Sequence, residues 1–88
     1  MSSFSIIFKP SVEKDLRRLP QPIVGRVIEH IEKLGADPFP RQSVKLEGAT
    51  HLYRVRVGDY RIVYGVDNDS RQITIHYVRH RREDYREL

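Results

Sequence analysis

Two runs of alternating apolar and polar residues dominate the second half of the chain. They are His51-Leu-Tyr-Arg-Val-Arg-Val57 and Tyr60-Arg-Ile-Val-Tyr-Gly-Val66, separated by Gly58-Asp59. Period-2 patterning on both sides of a two-residue Gly-Asp turn predicts a β-hairpin. A third alternating run, Gln72 to Val78, follows the turn-forming Asp67-Asn-Asp-Ser70 and predicts a last strand with Ile73, Ile75 and Tyr77 on one side. The first half has helical periodicity. Val12, Leu16 and Leu19 fall on one face of a helix over about 12–19, with Ser11 as its expected N-cap. Pro20 stops that helix, and Pro22 sits at the first position of the next. There Ile23, Val24, Val27, Ile28, Ile31 and Leu34 form an apolar stripe, with Gly35 as the expected C′ residue. Ser3 to Phe8 reads as an opening strand. Val44-Lys-Leu46 reads as a short segment leading into the hairpin, after a loop at Asp37-Pro-Phe-Pro40.

The expected fold class is therefore α+β. An N-terminal strand precedes an antiparallel helical hairpin, then a three-stranded antiparallel meander. Together they form one small sheet with the helices packed on one face. The 88 residues are expected to form a single domain, 1–88, burying roughly 60–65% of the unfolded surface. No segment approaches transmembrane length, and the apolar patch at Ile6-Ile7-Phe8 is too short for a signal peptide.

Register sharpens the hairpin. With Gly58-Asp59 as the turn, Val57 opposes Tyr60, Val55 opposes Ile62 and Tyr53 opposes Tyr64, which gives a core face of good cross-strand pairs. Arg56 then opposes Arg61 on the other face, beside Arg54. Like charges directly opposed on a sheet destabilise it, so this cluster reads as a site for an anion. If Ile73 and Ile75 face the core, Gln72, Thr74 and His76 extend the same surface. Arg79, His80 and Arg81 are expected at its rim, with Tyr85 arriving from the tail.

Composition supports that reading. Net charge is +4, and the second half interleaves arginines with five tyrosines. Guanidinium groups match phosphate geometry, and rings stack on bases, a combination suited to RNA. There is no cysteine, so disulfides, thiolate metal sites and cysteine nucleophiles are excluded. The histidines, at 30, 51, 76 and 80, lack metal-ligand spacing. No phosphate-loop, dinucleotide or zinc-protease motif occurs, and no hydrolase triad is supported.

The segments Val44-Lys-Leu-Glu-Gly48, Leu52-Tyr-Arg-Val-Arg-Val57, Gly58-Asp-Tyr-Arg-Ile-Val-Tyr64 and His80-Arg-Arg-Glu-Asp-Tyr-Arg86 closely resemble the RelE/ParE toxin superfamily. Phe8, Ser11, Val12, Asp15 and Leu16 fit its opening segment. The resemblance covers nearly the whole chain. It implies the toxin of a type II toxin–antitoxin pair, cytoplasmic, with a cognate RelB-like antitoxin and no cofactor or metal. The RelE-like branch is favoured, since Arg54, Arg56, Arg61, Arg81 and Tyr85 match its basic strands, final arginine and tail tyrosine. That branch acts on messenger RNA in the ribosome, cleaving by attack of the 2′-hydroxyl on the adjacent phosphodiester.

The resemblance implies catalytic roles for Arg56, Arg61, Arg81 and Tyr85. Arg54, His76 and Arg79 are the expected substrate-binding residues. RelE-like toxins often carry lysines where this chain has Arg54 and Arg56, and arginine does not serve as a base. His80 is then the candidate general base, with His76 a further one. Two other readings stay open: a ParE-like inhibitor that binds DNA gyrase, and an inactive module that binds RNA or antitoxin.

Overall fold

The computed structural model describes residues 3–80. The order of elements is β1 (Ser5–Phe8), α1 (Pro10–Arg17), α2 (Gln21–Ala36), β2 (Val44–Lys45), β3 (Leu52–Val57), β4 (Tyr60–Asp67) and β5 (Gln72–His80). The fold is α+β as expected, but the sheet is larger and mixed. Five strands lie in the order β1-β5-β4-β3-β2. The meander β3-β4-β5 is antiparallel, whereas β1 runs parallel to β5 from Ser5↔Gln72 to Phe8↔Ile75. The two helices between β1 and the rest of the sheet return the chain to the opposite edge. There Val44 and Lys45 pair with Arg54 and Tyr53 as the edge strand β2. The expected lead-in segment is thus a strand.

Both helices pack on one face of the sheet. Val12 from α1, and Val27, Ile31 and Leu34 from α2, meet Val55, Val57, Ile62, Tyr64, Val66, Ile73, Ile75 and Val78 in one cluster. Leu16, Leu19 and Ile23 pack against it, so the helical stripes face the core as their spacing dictates. The helix ends differ from expectation. Pro10 is the first residue of α1 and Lys9 its N-cap, because proline has no N–H to satisfy and its fixed φ suits that position. Ser11 lies inside the helix instead. Gly35 is not a C′ residue either: α2 continues through Ala36. A Cβ on Gly35 would lie 3.3 Å from the Phe4 carbonyl oxygen, and its own carbonyl accepts the Phe4 N–H at 2.8 Å. Glycine here lets β1 sit against the helix.

The β3–β4 turn has Gly58 at φ +60. A left-handed glycine at the first central position matches the twist of the flanking strands. The Tyr64 hydroxyl donates to the Pro38 carbonyl at 2.8 Å. Phe39, Tyr53 and Tyr64 form a ring series, with centroids 5.0 and 6.0 Å apart. These contacts tie the loop after α2 to the sheet. Burial pushes the Tyr64 hydroxyl up to about 12, so it remains a donor at any ordinary pH.

Beyond Phe8, α1 takes over the edge of β5 that β1 leaves open. Lys9 N–H donates to Ile75 O at 3.1 Å, and the Ser11 hydroxyl reaches His76 O at 3.5 Å. The Val78 N–H donates to Asp15 Oδ2 at 3.1 Å. Val78 is 2% exposed, so its N–H has little access to water once Asp15 is removed. Asp15→Ala is expected to lower unfolding free energy by about 1–3 kcal/mol, the cost of stranding a buried donor. Chemical denaturation with an unchanged m-value checks it. A variant as stable as wild type would show that the contact contributes nothing.

Candidate nucleic-acid interface

The site is built on the sheet face away from the helices. Arg56 opposes Arg61, and Tyr53, Val55 and Val57 pair with Tyr64, Ile62 and Tyr60, as the alternation predicts. On the far side of β4, Arg61 opposes Arg79. Three arginines therefore form one row across β3, β4 and β5. Adjacent strands lie about 4.8 Å apart, so the three Cα positions span on the order of 10 Å. Arg56 Nε donates to the Gly58 carbonyl at 3.1 Å, which fixes the first arginine to the turn. Arg61 and Arg79 are half-buried.

The next row on this face is Arg54, Val63 and Tyr77. The Arg79 guanidinium lies 4.3 Å from the centroid of the Tyr77 ring. Such a cation–π contact holds the guanidinium plane over the sheet. Val63 is 2% exposed yet lies outside the main core cluster, on the arginine side. Rows further along hold Leu52, Gly65 and Thr74.

Tyr77 and Arg79 reach this face through an irregularity. Val63 pairs with Tyr77, but Tyr64 pairs with Ile75, so His76 is an extra residue in β5. A bulge of this kind reverses the alternation beyond it. Ile73 and Ile75 are buried in the core as expected, but the next core residue is Val78, and Tyr77 turns away. The expectation of Tyr77 beside Ile75 is thus corrected. Arg79 moves from the rim into the row, beside Arg61. The spacing Ile73, Ile75, Val78 carries the signal: two residues, then three.

The bulge also decides the histidines. His76 stays on the arginine face, where its Nε2 comes within 3.1 Å of the place a Cβ on Gly65 would take. His80 opposes Tyr60. Their rings meet edge to face at 5.2 Å, on the side where Val57 and Ile62 face the core. His80 lines a small recess with Asp15, Arg18 and Leu19 of the α1 side. The structure thus brings Arg54, Arg56, Arg61, Arg79 and His76 onto one face and turns His80 from it. Arg81 and Tyr85 lie outside the described residues. Among the described residues, no group of three or more His, Cys, Asp or Glu is placed to hold a metal ion, and no helix is long and apolar enough to cross a membrane.

This arrangement defines a small α+β domain with a cationic sheet face. A family model for the ParE toxin of type II toxin–antitoxin systems matches residues 6–85, and the chain belongs to that family, within the RelE/ParE superfamily. It is similar to the putative toxin RelE1 of Methanocaldococcus jannaschii, 34% identical over 86 residues, covering 94% of this chain and 96% of that one. It is also similar to the toxin RelE of Mycobacterium tuberculosis, 29% identical over 84 residues, covering 94% and 87%. Among solved structures, the archaeal RelE–RelB complex from Pyrococcus horikoshii superposes with a TM-score of 0.79 at 34% identity, covering 89% of this chain and 94% of that one.

Burial and the nearby Lys9 charge hold the His76 imidazolium below its ordinary 6.5. The unfolded chain therefore binds a proton at His76 more readily than the folded one. Its contribution is fully present above pH 6.5 and is lost as pH falls through the lower folded value. His76→Gln is expected to flatten the fall in melting temperature between pH 6.5 and the acid limb. Parallel wild-type and variant curves would place the proton elsewhere.

Proposed function

We propose that this toxin is a ribosome-dependent messenger-RNA endonuclease. The observation that carries the proposal is the row Arg56–Arg61–Arg79, three cations held side by side on one rigid sheet face. Such a row suits a phosphodiester. In the proposed step the ribose 2′-hydroxyl loses its proton to water or to a ribosomal group. Its oxygen bonds to the adjacent phosphorus in line, while the bond from phosphorus to the 5′-oxygen breaks. The departing oxygen takes up a proton. The products are a 2′,3′-cyclic phosphate and a 5′-hydroxyl end. Negative charge builds on the non-bridging oxygens, and preorganised guanidinium groups stabilise it without the reorganisation that water would need. Arginine donates in a planar fork and keeps its charge throughout.

Arg56 and Arg61 hold the reacting phosphate in this reading. Arg79, positioned by Tyr77, completes the row, and Arg54 takes a neighbouring phosphate. Arg81 is proposed near the leaving oxygen, and Tyr85 either to orient the 2′-hydroxyl or to stack on a base. His80 receives no proton-transfer role, since its ring meets Tyr60 and its recess adjoins α1. Rate then comes from positioning and charge stabilisation. A ribosomal substrate places the toxin in the cytoplasm. A cognate RelB-like antitoxin is proposed as its partner, because the similar RelE chain from Pyrococcus horikoshii was solved with RelB.

Mapping messenger-RNA ends after brief induction tests the reading. Wild type is expected to give discrete cuts within translated codons. Arg61→Ala is expected to lower the cleavage rate roughly 10²–10³-fold with an unchanged melting transition. Full cleavage by that variant would remove the arginine row from the mechanism. Intact messenger RNA alongside inhibited DNA supercoiling would favour gyrase as the target, a reading the ParE name of the family model keeps in view. His80→Gln is expected to cleave at the wild-type rate from pH 6 to 8. A large loss, confined to low or high pH, would return His80 to the proton transfer.

A further inference from the structure

The bulge that seats Tyr77 and Arg79 also shapes a second feature of the same face. A groove of about 760 Å³ opens at the far end of the sheet, lined in part by Lys9, Leu52, Gly65, Thr74, His76 and Asp69. That is within the range of small-ligand sites, about 300–1,000 Å³. Gly65 lies four residues along β4 from Arg61, about 13 Å at ~3.3 Å per residue. At a stacked rise of ~3.4 Å, that distance is about four nucleotides of a single strand.

Three features match the groove to one kind of ligand. Gly65 has no side chain, so the His76 ring and Leu52 settle over it as the floor of the groove; a Cβ would meet His76 Nε2 at 3.1 Å and a Leu52 methyl at 3.5 Å. His76 is half-buried and is held neutral by burial and by Lys9. It therefore offers a flat ring with one donor and one acceptor. The groove is also polarised. Lys9 lies near His76, whereas Asp67 and Asp69 line the turn end. The Asp67 carboxylate accepts the backbone N–H groups of Asp69 and Ser70 at 3.0 and 3.2 Å, so it is anchored as an anion. An anionic end repels phosphate and accepts hydrogen bonds from amino groups on base edges.

We propose that this groove is a nucleobase subsite. It would take one base of the RNA strand whose phosphate lies on the arginine row, with a preference for bases bearing an exocyclic amino group. The proposal rests on the endonuclease reading and adds sequence preference to it. The arginine row binds backbone and carries no sequence information; the groove reads one base a few nucleotides away. The face is continuous, since β4 carries both Arg61 and Gly65.

The test uses ribosomes programmed with messenger RNAs that carry a single abasic residue, or a single uracil, at each position within four nucleotides of the cut. Wild type is expected to show one position at which the abasic residue lowers kcat/KM roughly tenfold, the size of one lost base stack. Uracil there is expected to fall between the abasic residue and the other bases. His76→Ala and Gly65→Val are each expected to lower kcat/KM on the intact message to about the level of the abasic one, so that the scan becomes flat. Gly65→Val crowds the sheet, so the His76→Ala scan decides if the valine variant fails to fold. Identical scans for wild type and His76→Ala, with cleavage intact, would overturn the groove and leave the endonuclease standing. Absence of any cleavage by wild type would overturn the endonuclease and the groove together. Weakened antitoxin binding by His76→Ala, with an unaltered scan, would make the groove a protein-docking surface and overturn the proposal.

Discussion

One extra residue in β5 governs what the exposed face of this toxin contains. His76 has no opposite number on β4, because Val63 pairs with Tyr77 and Tyr64 with Ile75. A sheet alternates its side chains strictly, so an inserted residue reverses every side chain beyond it. Without the bulge, Arg79 would turn toward the helices and Val78 toward solvent. With it, Val78 joins the core and Arg79 completes the row with Arg56 and Arg61. A single backbone irregularity thus satisfies core packing and assembles the cationic surface together.

The bulge has to be held, and α1 holds it. The strand β1 ends at Phe8, before the bulge is reached. Lys9 N–H, the Ser11 hydroxyl and the Asp15 carboxylate then meet Ile75, His76 and Val78 in turn. A parallel edge strand would have continued the ladder in regular register and could not follow an inserted residue. A helix carrying short polar side chains can. Pro10 at the start of α1 forces the switch from strand to helix at the right place.

Opposed arginines are a local conflict in the fold, and such conflicts collect at functional sites. The structure contains the conflict rather than removing it. Arg56 is fixed to the Gly58 carbonyl, and Arg79 lies over Tyr77. The helix side of the same three strands is built on buried aliphatic residues, with Ile62, Ile73 and Ile75 at 0% exposure. One face secures the sheet, which leaves the other free to carry charge in a fixed arrangement. Charge fixed in this way can hold an anion without the reorganisation that water would need.

The sequence determined a great deal by itself. Period-2 and period-3.6 patterning located both helices and the three long strands. Gly58-Asp59 set the hairpin register, and with it the Arg56–Arg61 pair, because a two-residue turn leaves no freedom in pairing. Other features depended on partners distant in sequence. The parallel pairing of β1 with β5, and the edge strand at Val44–Lys45, are backbone hydrogen bonds that no local pattern encodes. Gly35 looked like a helix terminator because its true constraint, the Phe4 carbonyl, comes from another strand. Most consequential was the bulge. Alternation read forward from Ile73 carries Tyr77 into the core and Arg79 to the rim. Only packing of Val78 against the helices, with its N–H bonded to Asp15, decides that the strand slips by one residue at His76.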